Sequence, residues 1–288
     1  MNSPSITKAD PVRDGHFARK QLYCSDPVIA WSHRRRYEVA LDVIRRLSPT
    51  KLLDYGCGDG TLLAMLSEKL EPPSVAIGAE IDRSQVEDCR ARLRDYPHLR
   101  FLHVDDLYRS EHRHSYDVIA CTEVLEHVID VDPLLDHFDE LLRHGGHLVI
   151  SVPVETGLPL IIKQTARRVA GWRGLGDYPG TSSYTFPEFV AALTAGPRRL
   201  LNRPVHHHAD GTGFHDHKGF NWMALKSALG RRFKIDSTFG SPLASFTPHL
   251  GSQAWFIASK SAAAIPDAES AVFTPAPAHV SLHSEWHL

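Results

Sequence analysis

A chain of 288 residues with 42% apolar and 23% charged residues can bury a full core and has the make-up of an ordinary soluble globular protein, with room for one large domain or two small ones. Its formal net charge of -2 argues against a nucleic-acid polymer as partner, because such binders carry a clear basic excess. Cys24, Cys57, Cys89 and Cys121 show no CxxC spacing, which argues against a disulfide framework or zinc knuckle and for a reducing, cytoplasmic setting.

Residues 1–27 read as a flexible polar segment without the apolar stretch of a signal peptide, and no apolar run reaches the roughly 18 residues that span a bilayer. From Val28 to Leu47, Tyr37, Ala40, Leu41, Ile44 and Leu47 recur at helical spacing. Strands and helices then alternate. Lys51–Tyr55 is a short apolar strand, followed by a glycine turn and a helix over Thr61–Leu70. Val75–Glu80 is a second strand, and the next helix is expected to open at Ser84, with Glu87 completing a capping box.

Leu99–Val104 and Tyr116–Cys121 are the third and fourth strands. Asp132-Pro133 is expected to cap and start a helix that Gly145-Gly146 stops, and His147–Val152 is the fifth strand. Residues 155–219 form a long insertion. Phe233–Phe239 and Gln253–Ser259 then supply two more strands, paired at the end of the sheet. Residues 261–288, rich in Ala, Pro and Ser, read as a disordered tail. Buried strands separated by helices predict an α/β architecture over 28–260. It is a doubly wound, seven-stranded, mostly parallel sheet that binds ligands at the carboxyl ends of its strands.

Three glycines in Asp54-Tyr55-Gly56-Cys57-Gly58-Asp59-Gly60 lie between the first strand and a helix. Glycines there let a ligand approach the backbone, and the helix amides beyond can take an anionic group. Glu80 ends the second strand, where a parallel sheet offers a carboxylate to a ribose diol. A nicotinamide dehydrogenase would need glycine where Thr61 stands.

The run Leu52–Gly60 resembles motif I of class I S-adenosylmethionine-dependent methyltransferases, and Ile77-Gly78-Ala79-Glu80-Ile81-Asp82 resembles the motif after it. Phe101–Leu107, Tyr116–Cys121 and Leu141–Ile150 are similar to three later motifs of that family. The resemblance covers roughly residues 35–155 and implies the Rossmann-like methyltransferase fold with S-adenosyl-L-methionine as cofactor. It implies Gly56 and Gly58 at the methionine portion, Glu80 on the ribose hydroxyls and Asp106 with Leu107 at the adenine, with Asp54 and Ile81 also among the cofactor-binding residues. Cys121 or Thr122 would line the pocket floor. His33-Arg34-Arg35-Arg36-Tyr37 also resembles a segment that closes over the cofactor in some members, and a solvated basic helix face is an equal reading.

Glu123-Val124-Leu125-Glu126-His127 follows the fourth strand, where a substrate would meet the methyl group. If helical, Glu123 and His127 are i,i+4 neighbours facing one space. Cofactor or substrate contact is the first reading of this cluster; His127, with Glu123 beside it, as general base is the second, and His215 or His217 is an alternative base, since imidazole titrates near working pH. Glu-x-x-Glu-His also resembles half of the metal site of small-RNA 2′-O-methyltransferases and part of the ubiquinone-pathway O-methyltransferases. Residues 214–220 could supply a further imidazole, but no resident metal is assigned. His206, His207, His208, His215 and His217 read as a substrate-contact loop in preference to a metal site.

Leu158, Ile161, Ile162, Thr165, Val169 and Trp172 share one helical face. The expectation is a lid over the acceptor pocket, with peripheral membrane contact through 158–173 as the alternative. The expected activity is methyl transfer to a small-molecule, lipid or glycan acceptor, at a hydroxyl. A metal-assisted RNA 2′-O-methyltransferase and a non-catalytic cofactor-binding module are the alternatives.

Overall fold

The computed structural model describes residues 10–172, 182–207, 211–242 and 246–261, with backbone alone for 166–172. Among them, strands run over β1 (Lys51–Tyr55), β2 (Val75–Glu80), β3 (Leu99–His103), β4 (Tyr116–Thr122), β5 (Leu142–Pro153), β6 (Val205–His207), β7 (Gly213–His215), β8 (Lys234–Ser241) and β9 (Gln253–Ser259). Seven of these form one sheet in the order β3-β2-β1-β4-β5-β9-β8, and β6 pairs with β7 as a separate hairpin. The first five strands of the sheet are parallel, while β9 runs antiparallel to both β5 and β8. The reversal from β3-β2-β1 to β4 puts a crevice at the carboxyl ends of β1 and β4, where ligands of such sheets bind.

Both faces of the sheet are buried, which explains its continuous apolar strands. Leu52 and Leu53, adjacent on β1, belong to different cores. The helices are α1 (His16–Gln21), α2 (Pro27–Leu47), α3 (Thr61–Lys69), α4 (Arg83–Arg92), α5 (Val131–Leu141), α6 (Gly157–Trp172), α7 (Phe186–Leu193) and α8 (Trp222–Leu229). Leu41 and Ile44 of α2 pack with Leu63 and Leu66 of α3 and with Val86 and Cys89 of α4 in Leu52's core. Leu135 and Phe138 of α5 pack with Leu225 and Leu229 of α8 in Leu53's core.

Several expectations need correction. Residues 10–27, expected to be flexible, are packed: Val12, Ala18 and Leu22 are buried. Residues 1–9 and 262–288 of the expected terminal segments lie outside the described residues. The helix expected to open at Ser84 is capped instead by Asp82, whose carboxylate accepts the Ser84 amide at 2.8 Å. Asp130, two residues before the expected cap, takes that role for α5. That helix ends at Leu141, before the glycines, and the strand begins at once. Gly145 and Gly146 instead serve an irregularity in the β4–β5 pairing, where a Cβ on Gly146 would stand 3.0 Å from the Tyr116 carbonyl.

The insertion of residues 155–219 contains α6, α7 and the β6–β7 hairpin. Of the apolar face predicted for α6, the side chains of Val169 and Trp172 lie outside the described residues, and the first turns face outward. Leu158, Ile161 and Ile162 are exposed, Ile162 by 61%, while Leu160 is buried. Among the described residues no helix is long and apolar enough to cross a membrane.

Candidate active site

The loop after β1 holds Gly56, Gly58 and Gly60 at φ of +71°, +55° and +71°, the left-handed region that favours glycine. Gly56 has a second reason to lack a side chain: a Cβ there would lie 2.4 Å from Val124 Cγ2, in the segment after β4. The amides of Gly56 and Cys57 donate to the Ala79 carbonyl, fixing the loop to β2. At the end of β2, Glu80 turns its carboxylate back over this loop. Oε2 accepts the Gly58 amide and Oε1 the Ile81 amide, both at 2.8 Å. Oε1 also accepts the Asp82 amide at 3.3 Å, so Oε2, with a single amide, keeps a lone pair for a hydroxyl. The fit to a ribose diol is therefore good, with the glycine cradle beside it.

The other expected cofactor contacts fall in different places. Ile81 is exposed and can form an apolar wall next to Glu80. Asp106 pairs with Arg109 at 2.6 Å, and Leu107 is fully buried, so its side chain serves the core. Cys121, expected on the pocket floor, is corrected: alternation along β4 turns it into the core with Leu53 and Leu125. Burial pushes its thiol pKa up. Thr122, its neighbour, is half-buried. Asp54 is buried beneath the loop, and its carboxyl is raised to about 7 by burial first, then by repulsion from Glu80 and Asp59.

The segment after β4 is not the helix considered above. Glu123 sits at φ +58°, which ends the strand and sends residues 125–127 into a turn. Glu123 is thereby held away from the stacked i,i+4 arrangement. Its carboxylate accepts the Ser151 hydroxyl at 3.0 Å and faces the Arg36 guanidinium at 3.7 Å. Arg36 and Tyr37 are buried on α2, so this part of the His33–Tyr37 run meets the site and is no solvated face.

Glu126 and His127 are joined by a residue 90 positions on. Glu126 Oε1 lies 3.8 Å from His127 Nε2 and 3.8 Å from His217 Nε2. One donor atom from each residue falls within 4.8 Å of the others, the arrangement of a three-ligand cation site. The hairpin brings the second imidazole: the His215 amide donates to the His127 carbonyl at 3.0 Å, and His127 Nδ1 lies 2.8 Å from the His215 carbonyl. An Nδ1–H donated to that carbonyl leaves Nε2 with its lone pair toward Glu126. His215 therefore positions the pair while His217 joins it.

Glu126 is fully buried, and neither of its carboxylate oxygens meets a hydrogen-bond donor. Burial, then repulsion from Glu123, holds its pKa well above the carboxylate range. His217 is lowered to about 4 by burial and then by His127. Burial thus favours the neutral forms of both, and a cation would relieve that cost. One carboxylate and two imidazoles suit a divalent transition ion. Beside them, Lys163 of α6 reaches Glu155 at 3.0 Å, a pair that sequence reasoning missed because no motif marks it. His206 faces Asp216 at 3.4 Å, away from the cluster, and His208 lies outside the described residues.

Comparison with known proteins agrees with this geometry. A family model described as "Methyltransferase domain" matches residues 53–148. An uncharacterized methyltransferase of Mycobacterium bovis is 28% identical over 42% of this chain and 59% of its own length. A ubiquinone biosynthesis O-methyltransferase of Xylella fastidiosa is 34% identical over 48% of this chain and 52% of its own. The chain thus spans less than two thirds of these relatives. A crystal structure from Pyrococcus horikoshii aligns over 85% of this chain and 97% of its own at 11% identity with a TM-score of 0.54. That of the CurJ carbon methyltransferase aligns over 88% and 62% at 19% identity with a TM-score of 0.53; both likenesses concern the fold. Residues 53–148 thus match a methyltransferase domain, and the glycine loop, Glu80 and the sheet order around them fit the class I S-adenosylmethionine-dependent pattern.

Proposed function

We propose that this protein transfers the methyl group of S-adenosyl-L-methionine to a hydroxyl of a small-molecule, lipid or glycan acceptor. The observation that carries the oxygen acceptor is the buried Glu126 carboxylate facing His127 and His217. A hydroxyl must lose its proton as it is methylated, and a lone-pair imidazole nitrogen beside the crevice can take it. The side-chain-free glycine loop and Glu80 hold the cofactor, leaving the segment after β4 and the insertion to position the acceptor. Most of the rate then comes from holding the acceptor in line with the methyl group. The likeness to ubiquinone biosynthesis O-methyltransferases supports oxygen as the methylated atom.

A metal-assisted form of the same reaction is favoured by one specific observation, the two donor-free oxygens of Glu126. Glu126, His127 and His217 would hold a divalent cation, which would polarise the acceptor oxygen as a Lewis acid. The test is S-adenosylhomocysteine release over a panel of phenols, catechols, polyprenylated phenols and glycans, with and without chelator and with added Mn²⁺. Turnover on a hydroxyl acceptor supports the proposal. Loss on chelation and recovery with Mn²⁺ selects the metal-assisted form; activity indifferent to chelator selects His127 as base. Turnover confined to amine or carbon acceptors contradicts an oxygen acceptor.

A further inference from the structure

The cofactor crevice has a cover that none of the methyltransferase motifs contains. Residues 10–22 lie across the glycine loop, fastened by Asp59. This carboxylate is buried, and Oδ2 accepts the amides of Phe17 and Ala18 at 2.7 and 3.0 Å. Oδ1 accepts the Thr61 amide and hydroxyl at 3.1 and 2.6 Å. One side chain therefore ties the loop's own helix to the first turn of α1, taking up amides that have no partner within it. Gly15 permits the approach: a Cβ there would stand 2.4 Å from Asp59 Oδ2.

A second fastening reinforces the first. Arg92 of α4 donates to the carbonyls of Pro11 and Asp59 and pairs with Asp88. Between these anchors the Phe17 ring rests on the loop, where a Cβ on Gly58 would lie 3.0 Å from Phe17 Cδ2. Gly58 is the residue whose amide meets Glu80, so Phe17 stands over the two groups assigned to the cofactor. The far end of the strap reaches the acceptor side. Gln21 Oε1 accepts from Arg36 at 2.7 Å, and Arg36 faces Glu123.

We infer that residues 10–22 are a latched strap over the cofactor, with Phe17 as a cofactor-contacting residue and Asp59 as the positioning residue that holds the strap shut. This inference rests on the cofactor reading above. Cofactor and spent product leave only when the Asp59 hydrogen bonds to Phe17 and Ala18 open. Polar links to backbone, with water as the alternative partner, can open without disturbing the core.

The experiment is stopped-flow measurement of S-adenosylhomocysteine dissociation from the full chain in the wild type and in Asp59→Asn, Gly15→Ala and Phe17→Ala. Asparagine keeps an oxygen for Thr61 but turns an NH2 toward two amide donors, and alanine at 15 collides with Oδ2. Phe17→Ala leaves every Asp59 hydrogen bond intact, so it reports on the strap even where the other two fail to fold. The expected result is dissociation at least tenfold faster in each folded variant, with association changed less. Dissociation within twofold of wild type in folded Phe17→Ala and in either latch variant that folds overturns the strap. A wild type that does not bind S-adenosylhomocysteine overturns the cofactor reading as well, which separates the two failures.

Discussion

The two halves of the crevice are built in different ways. The cofactor half comes from consecutive residues: β1, its glycine loop and the end of β2 lie within 51–80. The acceptor half is gathered from distant points, with Arg36, Glu126, Ser151, Lys163 and His217 arriving on five different segments. Short-range geometry preserves a general cofactor cradle, while long-range assembly lets one fold take up different acceptors. The packing of Gly56 against Val124 is where the halves meet.

The largest effects should separate the halves by what they change. His127→Ala is expected to lower turnover by about 10²–10⁴-fold while calorimetric S-adenosylhomocysteine affinity stays within twofold. A parallel collapse of affinity would mean that the halves are not independent. In the opposite direction, Glu80→Ala should weaken cofactor binding by about 1.5–3 kcal/mol through loss of charge-assisted hydrogen bonds. Acceptor KM should stay unchanged, as steady-state kinetics with both substrates would read.

A pH titration sharpens the contrast within the cofactor half. Asp54 is raised to about 7 in the folded protein, against a much lower value when unfolded. Its neutral form therefore favours the fold at acid pH, and that advantage fades as pH rises toward 7. Asp54→Asn should raise Tm more at pH 8 than at pH 5 by differential scanning calorimetry. Because the cofactor carries a sulfonium cation, wild-type affinity should strengthen from pH 6 to pH 8, and Asp54→Asn should flatten that dependence. Equal Tm gains at both pH values would contradict a buried, perturbed carboxyl.

The insertion offers one buried and one exposed position, and the exposed one gives the smallest effect. Leu160→Ala should cost about 2–5 kcal/mol in urea unfolding, as a buried leucine does. Ile162→Ala, on the exposed face, should stay within about 0.5 kcal/mol. A large cost for Ile162→Ala would mean that the outward face is covered.

The same contrast explains what the amino-acid sequence made legible. The strand positions of the main sheet and the cofactor loop follow from apolar runs, glycine placement and a carboxylate at a fixed distance, all short-range signals. Helix starts were misplaced by two residues where several acidic or hydroxyl residues compete to cap, as with Asp82 and Ser84 or Asp130 and Asp132. The turn at Glu123 was hidden, because nothing in Glu-Val-Leu-Glu-His announces a left-handed residue. The choice of His217 over His215 was hidden too, because His217 lies past the end of β7, in a bend that no motif marks. The strap was hidden for a compositional reason. Its buried apolar side chains are three, Val12, Ala18 and Leu22, amid polar neighbours, and its anchor lies about forty residues away, at Asp59.

The central claim is that the loop after β1 and the Glu80 carboxylate together hold an adenosyl sulfur compound. Calorimetric titration of the wild-type chain with S-adenosylhomocysteine tests it most directly, with Glu80→Ala alongside. The account predicts saturable one-to-one binding that weakens at least tenfold in the variant. Absence of binding, or an affinity untouched by removing the carboxylate, would contradict it.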